Sequence, residues 1–278
     1  MKYFEMNDGI TIPALGLGTF KIKDRKEIEV AIEAAIENGY EYFDTAAFYD
    51  NEDLIGQAFK NAPLKREEYK IATKVWPSMF GKDLTKKSID KSLENLQTDY
   101  IDVIHLHWYG KYFDEAWEVF KDYKRQGIVK SIAVCNFTKE HMEELLKLGE
   151  KPTMDQLESS PLLQDDDLVS YLKDKNIIHQ AWSPLARANS DLLKNKEIIK
   201  LGEKYNKTPA QITLRWHIER GTMVIPKSIN PDRIKENISI FDFDLTKEDM
   251  EAIKSIDKNK RFSHAPDEKD WLDEIGRK

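Results

Sequence analysis

The chain has almost no cysteine. Cys135 is the only one in 278 residues, so an intramolecular disulfide is impossible and a cysteine-rich zinc site is excluded. No uncharged apolar run approaches the roughly 18–20 residues of a membrane span, so no membrane partner is expected. Residues 1–9 are polar and lack the apolar core of a secretory signal. The reducing cytoplasm is therefore the expected setting. A concentrated basic block is also missing. The 43 basic and 50 acidic residues are interspersed and sum to −7, which argues against DNA or RNA as a partner. There is no low-complexity stretch and no linker rich in Pro, Gly or Ser, so residues 1–278 are expected to form one domain. With 40% hydrophobic and 33% charged residues, the composition is that of a globular protein with a substantial core.

What is present is an alternation. Short runs rich in β-branched and aromatic residues alternate with longer amphipathic runs. Residues 2–6 and 10–12 read as a hairpin around Asn7-Asp8-Gly9. Candidate strands follow at 14–18, 40–44, 69–73, 101–105, 131–134, 153–157, 177–181 and 223–225. Candidate helices lie at 25–38, 51–60, 86–96, 114–126, 139–148, 165–175, 209–220 and 231–239. Asn38-Gly39 and Gln126-Gly127 read as helix ends, because glycine tolerates the left-handed conformation there. Thr208-Pro209 reads as an N-cap with proline in the first turn, and Thr246 with Asp249 marks an extra C-terminal helix. Eight strand–helix units in one undivided chain predict an α/β protein, a (β/α)8 TIM barrel with an N-terminal hairpin. An open doubly wound sheet is the alternative.

In such a barrel the functional groups belong just after the strands. Asp44 ends the second strand and Tyr49 follows it. Lys74 ends the third, and His107 lies just past the fourth. Neighbouring units are neighbours in space, so the four can converge on one mouth. Each has a plainer reading. Asp44 can cap a turn, Lys74 can be a surface lysine, Tyr49 can be a packing ring and His107 a core histidine. Together they suggest chemistry. A partly buried ammonium wants a carboxylate, and Asp44 is the near one. An ammonium beside Tyr49 is expected to lower the phenol pKa and make it a general acid. An N–H of His107 can hold a carbonyl oxygen. The expected reaction is hydride transfer from a cofactor to a carbonyl carbon, with the proton given by Tyr49.

These residues sit in longer motifs. Phe43-Asp44-Thr45-Ala46, Tyr49, Asn51-Glu52, Thr73-Lys74 and His107-Trp108 resemble the aldo-keto reductases. The resemblance continues through Val134-Cys135-Asn136-Phe137, Asp155-Gln156-Leu157-Glu158, Trp182-Ser183-Pro184-Leu185 and Ile225-Pro226-Lys227-Ser228. It ends at Arg233-Ile234-Lys235-Glu236-Asn237, so it spans nearly the whole chain. Within that family it looks like the bacterial 2,5-diketo-gluconate reductase and glyoxal reductase group. The resemblance implies a (β/α)8 barrel, NADPH as cofactor, small aldehydes or ketones as substrates, and a tetrad of Asp44, Tyr49, Lys74 and His107. Relatives of this kind are often monomers.

Gly16-Leu17-Gly18 is not a dinucleotide fingerprint, because the third glycine position holds Lys21. Lys227, Ser228 and Arg233 at a helix start suit a phosphate better. The resemblance places the 2′-phosphate of NADPH there, with Glu236 and Asn237 near the adenine. It places the nicotinamide carboxamide at Asn136 and Gln156, with Trp182 available to stack on the ring. Gly18, Thr19, Phe20, Ser183 and Leu185 complete the implied cofactor contacts. Two departures stand out: the family commonly has Ser at Cys135 and Asn at Asp155. Phe20, Phe48, Trp76, Trp108 and Tyr109 form the expected apolar pocket with His107. Tyr109 replaces a proline common in relatives. The tail after Arg261 is short, within reach of the mouth through His264 or Trp271, and implies an open site.

Two rivals differ in kind. His105 and His107 point the same way on a strand and invite a metal-dependent hydrolase. The remaining histidines fall in helices, early in a strand or in the tail, so no metal is expected. The other rival is a barrel that binds NADPH as a sensor or scaffold without turnover. A pure binder has no need of Tyr49 beside Lys74.

Overall fold

The computed structural model describes residues 1–277. Strands β1 (Tyr3–Glu5) and β2 (Thr11–Pro13) pair as an antiparallel hairpin, with Gly9 at φ +83° in its turn. Eight parallel strands follow in chain order: β3 (Leu17–Gly18), β4 (Tyr42–Asp44), β5 (Lys70–Val75), β6 (Ile101–Leu106), β7 (Val129–Cys135), β8 (Met154–Glu158), β9 (Ile178–Trp182) and β10 (Met223–Val224). The sheet closes on itself. Val224 N–H donates to Ala14 O and Gly16 N–H to Val224 O, while Gly18 bridges Lys227. This explains the two glycines. A Cβ on Gly16 would lie 2.3 Å from the Tyr42 ring, and one on Gly18 would lie 2.8 Å from Ile225 O. They serve barrel closure.

Helices cover the outside: α1 (Arg25–Glu37), α2 (Glu52–Asn61), α3 (Lys82–Leu96), α4 (Phe113–Arg125), α5 (Lys139–Leu146), α6 (Asp166–Asp174), α7 (Ser190–Leu193), α8 (Lys196–Tyr205), α9 (Pro209–Glu219), α10 (Pro231–Ile238), α11 (Lys247–Lys254) and α12 (Lys269–Ile275). The expected caps form. Thr208 and Gln211 make a reciprocal capping box at α9, as do Thr246 and Asp249 at α11. Gly39 and Gly127 end α1 and α4 with positive φ. Helices α7, α8 and α12 were not expected from sequence. Asn189 and Asn195 start the first two, each side chain accepting an N–H two residues on.

The strand period of two decides what faces inward. Tyr42, Ala72, Val103, Ala133, Met154 and Met223 fill the barrel interior, and Met6 and Ile12 of the hairpin pack beneath them. The intervening residues face the helices; Phe43, Ile71 and Leu17, for example, join α1 and α2 in the outer core. One step further along the inward face come Asp44, Lys74, Gln156 and Gln180, all buried polar residues near the C-terminal ends of the strands.

Candidate active site

A cavity of about 560 Å³ opens at the C-terminal end of the barrel. Asp44, Tyr49 and His107 line its floor, and Lys74 lies buried beneath them. Lys74 is fully buried, and its Nζ donates to Asp44 Oδ1 at 2.6 Å and to Thr45 O at 2.6 Å. Nζ lies 4.9 Å from the centre of the Tyr49 ring. The Tyr49 and His107 rings meet edge to face at 5.7 Å.

The chain segment carrying Tyr49 is held by its neighbours in sequence. Asn51 accepts from Thr45 Oγ1 and donates to Thr19 O and Ile22 O. That ties the loop after β4 to the loop after β3. Glu52 accepts from Thr73 Oγ1 at 2.6 Å, tying the same loop to β5. Thr19 in turn donates to Asp44 O through both its N–H and its Oγ1. Asn51 and Glu52 are therefore braces for Tyr49, which sits on the short turn Ala47–Tyr49 between them and β4.

Electrostatics separate the four roles. Burial alone would push the Lys74 ammonium towards neutrality. Asp44 and then Tyr49 outweigh it, and Lys74 stays charged. Burial lifts the Asp44 carboxyl above its usual range, with Lys74 opposing. Tyr49 departs from expectation. Burial pushes its phenol up to about 12, and the nearby ammonium only moderates that rise. Desolvation of a phenolate costs more here than Lys74 returns, so Tyr49 is held as the protonated acid at neutral pH. His107 lies well below its usual value, first through burial and then through Lys74 and His105. Its imidazole is neutral. His105 points its Nδ1 at Thr73 O and is pushed down to about 3, mainly by burial. Among the described residues no cluster of three or more His, Cys, Asp or Glu side chains is placed to hold a metal ion.

The walls are aromatic. Phe48 stacks on Trp76 at 3.9 Å. Trp76 meets His107 edge on. Phe20 packs at 4.9 Å from Tyr49. The tail closes one side. Phe262 N–H donates to Glu158 Oε1 at the end of β8, which draws the tail across the mouth. Helix α12 then lays Trp271 edge on against Trp76 and Trp108, with His264 stacked on Trp271 at 3.9 Å. The tail thus reaches the mouth through His264 and Trp271, as expected, and walls one side of it.

Tyr109 is a correction. It does not line the cavity. Its ring stacks on His141 at 3.9 Å and its hydroxyl donates to Glu144 at 2.6 Å, on the α5 side of the loop. Trp108 faces the cavity, and the next residue turns away from it.

The remaining expected cofactor residues fall into two groups. Gly18, Thr19, Phe20, Asn136, Gln156, Trp182, Ser183, Leu185 and Lys227 line the cavity, together with Lys21 and Arg187, which sequence reasoning missed. Ser228, Arg233, Glu236 and Asn237 lie beyond its walls, at and along α10. Arg233 is exposed, whereas Asn237 is buried. Ser228 Oγ accepts from Asn230 N–H, and Asn230 caps the helix. Glu236 accepts from Thr208 Oγ1. Asn136 adopts φ +59°, donates through Nδ2 to His107 O and accepts from Trp182 Nε1. Asp155 points away from the cavity and takes Phe137 N–H; burial raises its carboxyl well above the usual range. Cys135 is buried, and burial raises its thiol likewise.

A closed eight-stranded barrel with this cavity at its C-terminal end defines an enzyme scaffold. The model of the Aldo/keto reductase family matches residues 14–258, and the chain belongs to that family. It is an oxidoreductase acting on carbonyl compounds. It is 41% identical over 266 residues to the glyoxal reductase of Bacillus subtilis, covering 95% of this chain and 96% of that one. It is 40% identical over 268 residues to the methylglyoxal reductase DkgA of Escherichia coli K12, with the same coverage. Among solved structures, an aldo-keto reductase from a Medee basin deep-sea metagenome superposes with a TM-score of 0.93 at 36% identity, over 96% of this chain and 99% of that one. An aldo-keto reductase complexed with NADPH superposes with a TM-score of 0.89 at 32% identity, over 95% and 90% of the two chains.

Proposed function

We propose that residues 1–278 act as one NADPH-dependent reductase of small aldehydes and ketones, with Tyr49 as the proton donor. The observation that carries this reading is the buried Lys74–Asp44 pair beneath a protonated Tyr49, with neutral His107 across the same cavity floor. The substrate carbonyl oxygen sits between the Tyr49 hydroxyl and an N–H of His107. Tyr49 gives its proton as negative charge develops on that oxygen, and Lys74 stabilises the phenolate left behind. Asp44 keeps Lys74 charged. The aromatic walls exclude water and favour compact carbonyl compounds: dicarbonyls such as methylglyoxal, keto-sugars or aromatic aldehydes.

The residues present fit NADPH. Bound in the cavity, the cofactor supplies the hydride. Trp182 offers a ring to stack on the nicotinamide, and Asn136 and Gln156 offer amides to its carboxamide. Lys21, Arg187 and Lys227 line the same cavity with positive charge for the phosphates. Ser228 precedes α10 and Arg233 lies in its first turn, where backbone N–H groups and an exposed guanidinium suit a 2′-phosphate, with Glu236 and Asn237 further along for the adenine.

Loss of NADPH absorbance tests the reading, with methylglyoxal, a keto-sugar and an aromatic aldehyde offered in turn. Turnover of at least one is expected. Tight NADPH binding with no turnover on any of them would instead favour a sensor or scaffold. Cofactor choice gives a separate check. Arg233→Ala is expected to weaken NADPH about 10- to 100-fold, the worth of one charge-assisted hydrogen bond, and to leave NADH nearly unchanged. Equal losses for both cofactors in a titration would move the 2′-phosphate away from α10.

A further inference from the structure

We infer that Gln180 is a positioning residue for the cofactor, acting through Gln156. Sequence reading passed over it. The signal was there: a polar residue inside β9, two places before Trp182 and so on the same inward face.

The geometry forms a chain with a fixed direction. Asp44 uses Oδ1 for Lys74 and Oδ2 for Gln156, whose Nε2 donates at 2.8 Å. A carboxylate only accepts, so the Gln156 atom facing it must be the amide nitrogen. The second hydrogen of that nitrogen goes to Gln180 Oε1 at 2.6 Å. Gln180 must therefore present its oxygen to Gln156 and its nitrogen elsewhere. Its Nε2 donates to Tyr42 OH at 3.3 Å and to Met223 Sδ at 2.9 Å. Gln180 is fully buried and takes no other role in the cavity.

The consequence falls on Gln156. Both of its N–H groups are occupied inside the barrel. Its Oε1 is the one amide atom without a partner among the described residues, and Gln156 lines the cavity. A lone carbonyl oxygen selects an N–H donor, and the nicotinamide carboxamide carries one. Asp44 orients the Gln156 amide, and Gln180 takes its second hydrogen, so that together they hold Gln156 as a fixed acceptor. This joins the cofactor's recognition to the Asp44–Lys74 pair through one residue. This inference rests on the proposal that Gln156 meets the carboxamide.

The test compares NADPH with the reduced 3-acetylpyridine analogue of NADP, which has a ketone and no N–H at that position. Dissociation constants would be measured for the wild type, Gln180→Met, Gln180→Glu and Tyr42→Phe. The wild type should prefer NADPH. Gln180→Met keeps the shape of the side chain but removes the acceptor, and it should lose about tenfold of that preference, roughly one hydrogen bond. Gln180→Glu should largely retain it, since a buried protonated carboxyl still accepts from Gln156 and donates to Tyr42. Tyr42→Phe loosens Gln180 from behind and should lose a smaller part; it carries the test if Gln180→Met does not fold. Equal weakening of both cofactors in Gln180→Met, or an unchanged preference in it or in Tyr42→Phe, would overturn the role of Gln180. A wild type with no preference would overturn the assignment of Gln156 instead.

Discussion

Tyr49→Phe is expected to lower the turnover of carbonyl substrates by a factor of about 10²–10⁴, the usual worth of a positioned general acid. Cofactor affinity should stay near that of the wild type, because the substitution removes one hydroxyl and keeps the ring against Phe20 and His107. No other group nearby can substitute as donor. His107 is neutral, and giving up a proton from neutral imidazole is far harder than from a phenol. Lys74 is held charged by Asp44, which makes it a far weaker acid than its usual range implies, and two of its three N–H groups donate to Asp44 and Thr45. The phenol pKa of about 12 adds a pH signature. Tyr49 is protonated throughout the neutral range, so reduction should show no loss attributable to it between about pH 6 and 9. Steady-state rates of both proteins over that range, beside NADPH titrations, give the answer. A variant that keeps most of its turnover would assign the proton to water or to His107. A variant that loses cofactor binding in proportion would show that Tyr49 holds the cofactor.

How far the sequence revealed this site follows from what each residue depends on. Strand ends are readable, because Asp44, Lys74 and the His107 segment each follow a β-branched or aromatic run. Barrel topology then brings them together without further information. Facing is readable inside a strand and fails beyond it. Trp108 and Tyr109 are adjacent just past β6, and only the fold decides that one enters the cavity while the other stacks on His141. Tail placement also depends on a distant partner, the Glu158 carboxylate that receives Phe262 N–H. Helices α7 and α8 escaped because their caps are single asparagines in a polar stretch. The Tyr49 pKa was misjudged for an energetic reason. Sequence places an ammonium beside the phenol, but the sign of the shift depends on how much water the fold removes. Gln180 was overlooked because the chemistry it supports belongs to another residue.

Lys74→Met tests the charge pair itself, and its largest effect is expected on stability. The substitution preserves length and removes the ammonium from a fully buried position. Breaking such a pair leaves Asp44 uncompensated and should cost about 3–5 kcal/mol at neutral pH. The pH dependence has a definite sign. Burial already raises Asp44, with Lys74 opposing, so loss of the cation raises it further above its unfolded value of about 3.9. The folded variant then binds more protons at Asp44 than the unfolded chain, and this group favours folding more as pH falls. In the wild type, Lys74 has the opposite history. Its raised pKa contributes stability that is fully present below the unfolded value of about 10.4 and is lost as pH rises through the folded value. Loss of the cation raises Asp44 further in the variant than burial alone raises it in the wild type, so the gap between the two proteins should narrow on acidification from neutral pH. Urea unfolding at several pH values measures it directly. A gap below about 1 kcal/mol, constant with pH, would mean that Asp44 folds already protonated. Lys74 would then lack the carboxylate that keeps it charged beneath Tyr49, and the proton donor would lose the group that stabilises its phenolate.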